Sequence, residues 1–93
     1  MPCLLIRHTV EDYSAWKAVF DEQADLRRAN GSQGGRLFRS TESGEVLVLL
    51  EWDDLERARL FVDSDDLKEG LIRSGVAGAT DSWFLEDGDH LLA

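Results

Sequence analysis

The sequence is poor in cysteine and proline. Cys3 is the only cysteine among 93 residues, which excludes an internal disulfide and a cysteine-based metal cluster. A chain without disulfides fits a reducing compartment, so we expect a cytoplasmic protein. The one proline, Pro2, precedes every predicted element, so no predicted helix or strand is interrupted by proline.

Long hydrophobic runs and positive charge are also scarce. The longest later hydrophobic run, 46–50, is much shorter than a membrane span, and Arg7 and His8 interrupt the first one, so we expect neither a signal segment nor a membrane partner. The chain has ten Lys and Arg residues and 19 Asp and Glu residues, which gives a formal net charge of −9. This charge disfavours binding to nucleic acid, because the partners would repel each other.

Sites for metals and nucleotides are not indicated. The acidic runs at 53–56 and 63–66 match no EF-hand spacing and stand where predicted helices begin, so we interpret them as caps and expect no metal. The glycine-rich stretch 31–35 lacks the Lys-Ser/Thr of a phosphate loop and leads into a strand. We interpret it as a flexible connection without a nucleotide.

What the sequence contains is the pattern of one small domain, 1–93. Hydrophobic residues make up 43% and charged residues 31%, which is typical of a globular chain. Alternating side chains predict strands at 3–9, 35–41, 45–52 and 81–86. In the first strand, Leu4, Ile6 and His8 share one face.

Two helical regions separate these strands. A first helix is predicted from an N-cap at Asp12 to about residue 29, and it carries a stripe at helical spacing: Tyr13, Trp16, Phe20, Ala24 and Arg27. Asp53 and Glu56 have the spacing of a capping box and predict the start of a second helix. Residues 64–66 interrupt it, and a short helix over 67–73 follows.

The order β-α-β-β-α-β predicts an α+β, ferredoxin-like fold with a four-stranded antiparallel sheet. The first and third strands are then central neighbours, and both helical regions cover the same face. If Cys3 and Leu5, or Leu47 and Leu49, lie on the other face, a second sheet has to cover them. We therefore predict a homodimer whose sheets pack face to face.

Three segments resemble a known superfamily: 10–17 (VEDYSAWK) with Phe20-Asp21, 50–54 (LEWDD) and 61–69 (FVDSDDLKE). On these, the chain is similar to the dimeric α/β-barrel superfamily, which includes the antibiotic-biosynthesis monooxygenases and cyclase-like proteins. The resemblance covers nearly the whole chain and marks fold rather than chemistry. It implies an enzyme such as a cofactor-independent monooxygenase or cyclase, acting on a small aromatic or polyketide-like substrate.

The haem-degrading branch of this superfamily offers a comparison residue by residue. That branch has an Asn at the end of the first strand, a Trp in the second helix and a His shortly after the Lys-Glu pair. The corresponding positions here hold His8, Phe61 and approximately Leu71, and His90 does not stand in the ligand's place. The resemblance therefore implies no haem, and we expect no cofactor.

His8 is the candidate catalytic residue. It ends a strand and shares a face with apolar residues, where an imidazole can act as acid, base or hydrogen-bond donor. The alternative is a hydrogen-bonded histidine without a chemical role. Four aromatic residues are candidates to bind substrate beside it, although core packing explains their spacing equally well: Trp16, Phe20, Phe61 and Trp83.

Arg36 and Arg39 lie on opposite faces of the second predicted strand, so at most one of them can face a pocket and bind an anionic substrate. The alternative for either is a surface ion pair. Two functions remain open at this point. One is the enzyme that the resemblance implies; the other is a dimer that binds a small hydrophobic ligand without turnover, or that serves as a scaffold.

Overall fold

The computed structural model describes residues 1–89, 91 and 92, apart from the side chains of 77–79. His90 lies outside the described residues. The elements run in this order: β1 Cys3–Val10, α1 Tyr13–Glu22, α2 Ala24–Ala29, β2 Ser32–Arg39, β3 Glu45–Trp52, α3 Leu55–Val62, α4 Asp65–Arg73 and β4 Val76–Leu85.

The four strands form one antiparallel sheet in the order β2-β3-β1-β4. The predicted ferredoxin-like α+β fold is confirmed, with β1 and β3 at the centre. Leu4 and Ile6 on β1 are buried, as are Val48 and Leu50 on β3. These side chains form the face beneath the helices, and the core lies there because period-2 alternation sends every second residue to the same side.

The other side of the sheet, which we call the open face, is covered by no element of the described chain. Leu5, Leu47 and Leu49 are half-buried on it, whereas their neighbours along the strands are buried. The register pairs Leu5 with Leu49 on β3 and with Trp83 on β4. Opposed residues of an antiparallel pair share a face, so Trp83 also lies on the open face.

The first helical region is two helices rather than one. α1 begins at the predicted cap, where the Asp12 carboxylate accepts from the Ala15 N–H at 3.2 Å. It ends at Glu22, and α2 begins at Ala24 after the single residue Gln23. In a continuous helix the Phe20 carbonyl would accept from residue 24. Here it accepts from Nη1 of Arg27 at 2.6 Å, which fits a break at this point.

The second helical region differs from the prediction at the start of each helix. The cap of α3 is Asp54, which accepts from the Glu56 N–H, and Asp53 instead pairs with Arg57. The predicted pairing of Asp53 with Glu56 is therefore wrong. α4 begins at Asp65 instead of Leu67, because the Ser64 hydroxyl accepts from the Leu67 N–H and caps it.

Two strands are longer than predicted. β2 begins at Ser32, so the glycine-rich stretch interpreted as a flexible connection is largely strand. A register shift between Ser32 and Gly34 gives it a bulge, where Gly34 has φ +92°. β4 begins at Val76, five residues before the predicted start. None of the described helices is long and apolar enough to cross a membrane.

Candidate functional site: a cleft between the first helices and the sheet edge

A cleft of about 460 Å³ lies between α1 and α2 on one side and β2 and β3 on the other. Its floor is made by Leu37, Val48 and Leu50, which the register places on the helix-covered face. Phe20 and Ala24 stand on the helical wall. The volume falls in the range of small-molecule sites, ~300 to 1,000 Å³, and the floor is apolar, as such sites commonly are.

The open edge of the cleft follows from the glycines at the start of β2. Gly34 and Gly35 both line it and bring no side chain. A Cβ at Gly35 would lie 1.7 Å from the Leu49 carbonyl oxygen and 2.9 Å from the Leu50 Cα, so only glycine fits between these strands. The same residue therefore permits the strand pairing and leaves the cleft open.

Four cationic residues line this cleft in a protein of formal net charge −9. They are Lys17, Arg27, Arg28 and Arg36. Lys17 is paired with Asp21 at 2.6 Å and Arg28 with Asp25 at 2.7 Å. The Arg36 guanidinium lies over the Phe38 ring, 4.8 Å from its centroid, and this pair belongs to the open face.

Arg27 is the exception among the three cations on the helical wall of the cleft, Lys17, Arg27 and Arg28. Its guanidinium carbon lies 3.7 Å from the centroid of the Phe20 ring. Among the residues the structure describes, no carboxylate is within ion-pairing distance of it. Burial lowers the pKa of Arg27, and Asp21 partly offsets this. An arginine nevertheless keeps its charge at neutral pH, so a half-buried cation faces the cleft.

His8 does not line the cleft. Its side chain is 4% exposed, and its Nδ1 lies 3.1 Å from the Thr80 hydroxyl oxygen. The His8 ring is 6.0 Å from that of Trp16, and Trp16 stacks on Phe20 at 5.0 Å. Burial lowers the pKa of His8 to about 4, so the imidazole is neutral at pH 7. Its proposed catalytic role stays a prediction.

The four aromatic candidates are divided among three places. Phe20 lines the cleft, and Trp16 is buried behind it. Phe61 packs on Trp52 instead, with ring centroids 5.1 Å apart. Trp83 lies on the open face beside Arg7, whose guanidinium is 5.4 Å from its ring centroid. The expectation that Phe61 and Trp83 line one cavity with His8 is therefore not met, since the sheet separates Trp83 from His8.

Arg36 and Arg39 lie on opposite faces of β2, as predicted. Arg39 packs on the Tyr13 ring at 3.8 Å, in a separate hollow of about 170 Å³. Arg27 lines the cleft although it is not among the site residues expected from the sequence. The sequence does contain a signal for it. Arg27 continues the helical stripe of Phe20 and Ala24, and a cation is unusual on such an apolar stripe.

The described part of the chain holds no cluster of three or more side chains suited to a metal ion. The residues that line the cleft bring hydrogen-bond donors and apolar surface rather than metal ligands.

No protein-family model matches this chain, and no curated protein matches it. Solved structures with the same fold do exist. A proposed antibiotic biosynthesis monooxygenase from Bordetella bronchiseptica superposes with a TM-score of 0.77 at 18% identity, over 94% of this chain and 96% of the other. SnoaB from Streptomyces nogalater, a cofactor-independent oxygenase solved as a mutant, gives 0.73 at 15% identity, over 99% and 97%.

A monooxygenase from the gene ActVA-Orf6 of Streptomyces coelicolor, solved with the ligand nanaomycin D, gives a TM-score of 0.70 at 15% identity, over 99% and 91%. This chain therefore has the fold of the antibiotic biosynthesis monooxygenase structures along nearly its whole length. At these identities the likeness concerns the fold, and activity has to be argued from the site.

Proposed function

We propose that the protein takes a small aromatic molecule into the cleft and oxidises it with O₂ without a bound cofactor. The observation that carries the proposal is the cleft itself, about 460 Å³ with an apolar floor and an aromatic side chain in its wall. Support for the reaction comes from the shared fold, since SnoaB is a cofactor-independent oxygenase. Nanaomycin D in the ActVA-Orf6 structure supports an aromatic, polyketide-like ligand.

In such a reaction the substrate supplies the electrons. A CH₂ group conjugated with an aromatic ketone loses a proton to a water molecule in the cleft, and the resulting anion reduces O₂. One oxygen atom ends in a new C=O bond, and the other leaves as water with the two hydrogens of that carbon, so CH₂ and O₂ give C=O and H₂O. The protein holds the ring against Phe20 and Leu37.

Binding without turnover is the second candidate, and one observation favours it. Among the described residues, no Asp, Glu, His, Tyr or Cys side chain lines the cleft. A base that removes the substrate proton would have to lie within hydrogen-bond reach of it. A cyclase-like reaction in the same cleft would also consume no O₂, so oxygen uptake separates the oxygenase from both alternatives.

The test uses anthrone, an aromatic ketone with an acidic CH₂, together with an oxygen electrode. We expect the protein to accelerate oxygen uptake, with one O₂ consumed for each anthraquinone formed. Ala24→Phe fills the cleft and should lower this rate at least about tenfold. Ala18→Phe adds the same ring on the exposed side of α1 and should leave the rate unchanged.

The results separate the candidate functions. Anthrone binding without oxygen uptake would show that the protein is not an oxygenase and would favour a ligand-binding protein or a cyclase. Oxygen uptake that Ala24→Phe leaves unchanged would contradict the cleft as the site.

We also propose that two copies pair through the open face. Leu5, Leu47 and Leu49 are half-buried there, and Trp83 is 41% exposed in the single chain. Each large side chain covered by a partner contributes ~1.5 to 3 kcal/mol. The cation among these leucines, Arg7, is already paired with Asp81 and Glu45, so covering it leaves no lone charge. The free Cys3 thiol fits the cytoplasm as the proposed location.

A further inference from the structure

Arg27 has hydrogen-bonding capacity that the described protein does not use. A guanidinium carries five N–H donors. In the described structure one of them is used, by Nη1 on the Phe20 carbonyl at 2.6 Å. The Phe20 ring covers one face of the guanidinium at 3.7 Å and holds its plane in place. The remaining donors are fixed in direction, as a planar acceptor requires.

The other two cations on the helical wall of the cleft, Lys17 and Arg28, are each paired with a carboxylate of the protein. Both carboxylate oxygens of Asp21 accept from Lys17 Nζ at 2.6 Å, and Asp25 accepts from Arg28 at 2.7 Å. Arg27 and Arg28 are neighbours on the same short helix, yet Arg28 is paired and its side chain is 72% exposed, while Arg27 is half-buried beside Phe20. A desolvated cation is costly unless an anion compensates it. The anion that matches Arg27 is therefore missing from the described chain.

Within the proposed function, we propose that Arg27 binds the negative charge of the ligand, and that the ligand is a planar aromatic anion, a carboxylate, phenolate or enolate on a fused ring. The ring lies on the floor of Leu37, Val48 and Leu50, and its oxygen accepts from the Arg27 guanidinium. Charge-assisted hydrogen bonds in a partly water-free site are the strong ones, so the charge of the ligand decides affinity.

The experiment compares 2-naphthoate with 2-naphthamide, which have the same ring and nearly the same shape but differ in charge. Calorimetric titration at neutral pH should show the wild-type protein binding 2-naphthoate at least about tenfold more tightly than 2-naphthamide. Arg27→Gln should remove this preference and leave the affinity for 2-naphthamide within about twofold. Arg27→Lys should retain part of the preference, because it keeps the charge without the planar fork.

Arg59→Gln is the control, because it removes the same charge from an exposed residue of α3 that does not line the cleft. It should leave the preference for 2-naphthoate unchanged. If Arg27→Gln fails to fold, Arg27→Lys and Arg59→Gln still decide, since loss of part of the preference in Arg27→Lys alone supports the role of Arg27.

Three results would overturn the proposal, and they bear differently on the proposed function. Equal binding of both compounds, blocked by Ala24→Phe, would overturn the role of Arg27 and leave the cleft as the site. An equal loss of the preference in Arg59→Gln would show general charge attraction instead of a site at Arg27. Binding of neither compound would overturn both the anion site and the aromatic-ligand cleft.

Discussion

Nδ1 of His8 lies 3.1 Å from the hydroxyl oxygen of Thr80, at the point where the pairing of β1 with β4 is interrupted between Arg7 and Thr9. His8 has no register partner on β4, although it pairs regularly with Val46 on β3, and the Thr80 hydroxyl of β4 reaches its ring. A buried polar group needs such a partner. The contact therefore accounts for a histidine in an otherwise apolar row of β1.

This burial predicts a loss of stability in acid. The pKa of His8 is lowered to about 4 from an ordinary 6.5, because the charged ring is poorly solvated in the folded protein. At a pH between these two pKa values, His8 is protonated in the unfolded chain and neutral in the folded protein. The stabilising contribution is thus complete above pH 6.5 and is lost as the pH falls from 6.5 toward 4, by up to about 3 kcal/mol.

The measurement is urea unfolding at several pH values between about 4 and 7.5 for the wild type and His8→Gln. The free energy of unfolding should fall more steeply with acid in the wild type than in His8→Gln, because the two proteins share all ionisable groups except His8. A difference that stays constant over this range would mean that His8 titrates normally and is not buried as described.

Gly35→Ala should destabilise the protein by about 2 kcal/mol or more. The added Cβ would lie 1.7 Å from the Leu49 carbonyl oxygen, so β2 has to move away from β3. Gly88→Ala is the control, because no atom lies within 4 Å of its Cβ position and the change should stay within about 0.5 kcal/mol. Equal denaturation midpoints for the two variants would contradict the close strand approach.

The apolar side chains of the open face predict that the protein is a dimer. Sedimentation at micromolar concentration should give the wild-type protein twice the mass of one chain. Leu49→Lys places a charge in the middle of the open face and should yield monomers, because an unpaired buried ammonium is costly. Leu60→Lys makes the same change on α3, where the side chain is 65% exposed, and should remain a dimer. A monomeric wild type would contradict the face-to-face pairing.

The fold could be predicted from the sequence because its central strands carry a strong pattern. Val46, Val48 and Leu50 alternate with Leu47 and Leu49, which marks a strand covered on one side and apolar on the other. The ends of β2 and β4 were harder to predict. Gly34 and Gly35 are typical of turns, and their place in β2 depends on close contact with β3, which no local pattern shows.

The site could be predicted only in part. Phe20 was expected to contact substrate and does line the cleft, whereas His8 is separated from it by Trp16 and Phe20. Arg27 was interpreted through its position near the end of a helix, where cations are favourable in general. In the structure Arg27 contacts the Phe20 ring, whereas Arg28 pairs with Asp25. This difference between two neighbouring arginines depends on tertiary packing, which the sequence pattern does not show.

The most direct test of the cleft is a ¹H–¹⁵N NMR titration of the uniformly labelled protein with 2-naphthoate. We expect the largest shifts at the amides of these residues of the cleft: Phe20, Ala24, Arg27, Gly34, Gly35 and Leu37. Amides beside the second hollow of about 430 Å³, such as Gln23 and Gly70, should shift less. Largest shifts at Gln23 and Gly70, or no shifts at the cleft, would contradict the assignment of the ligand site.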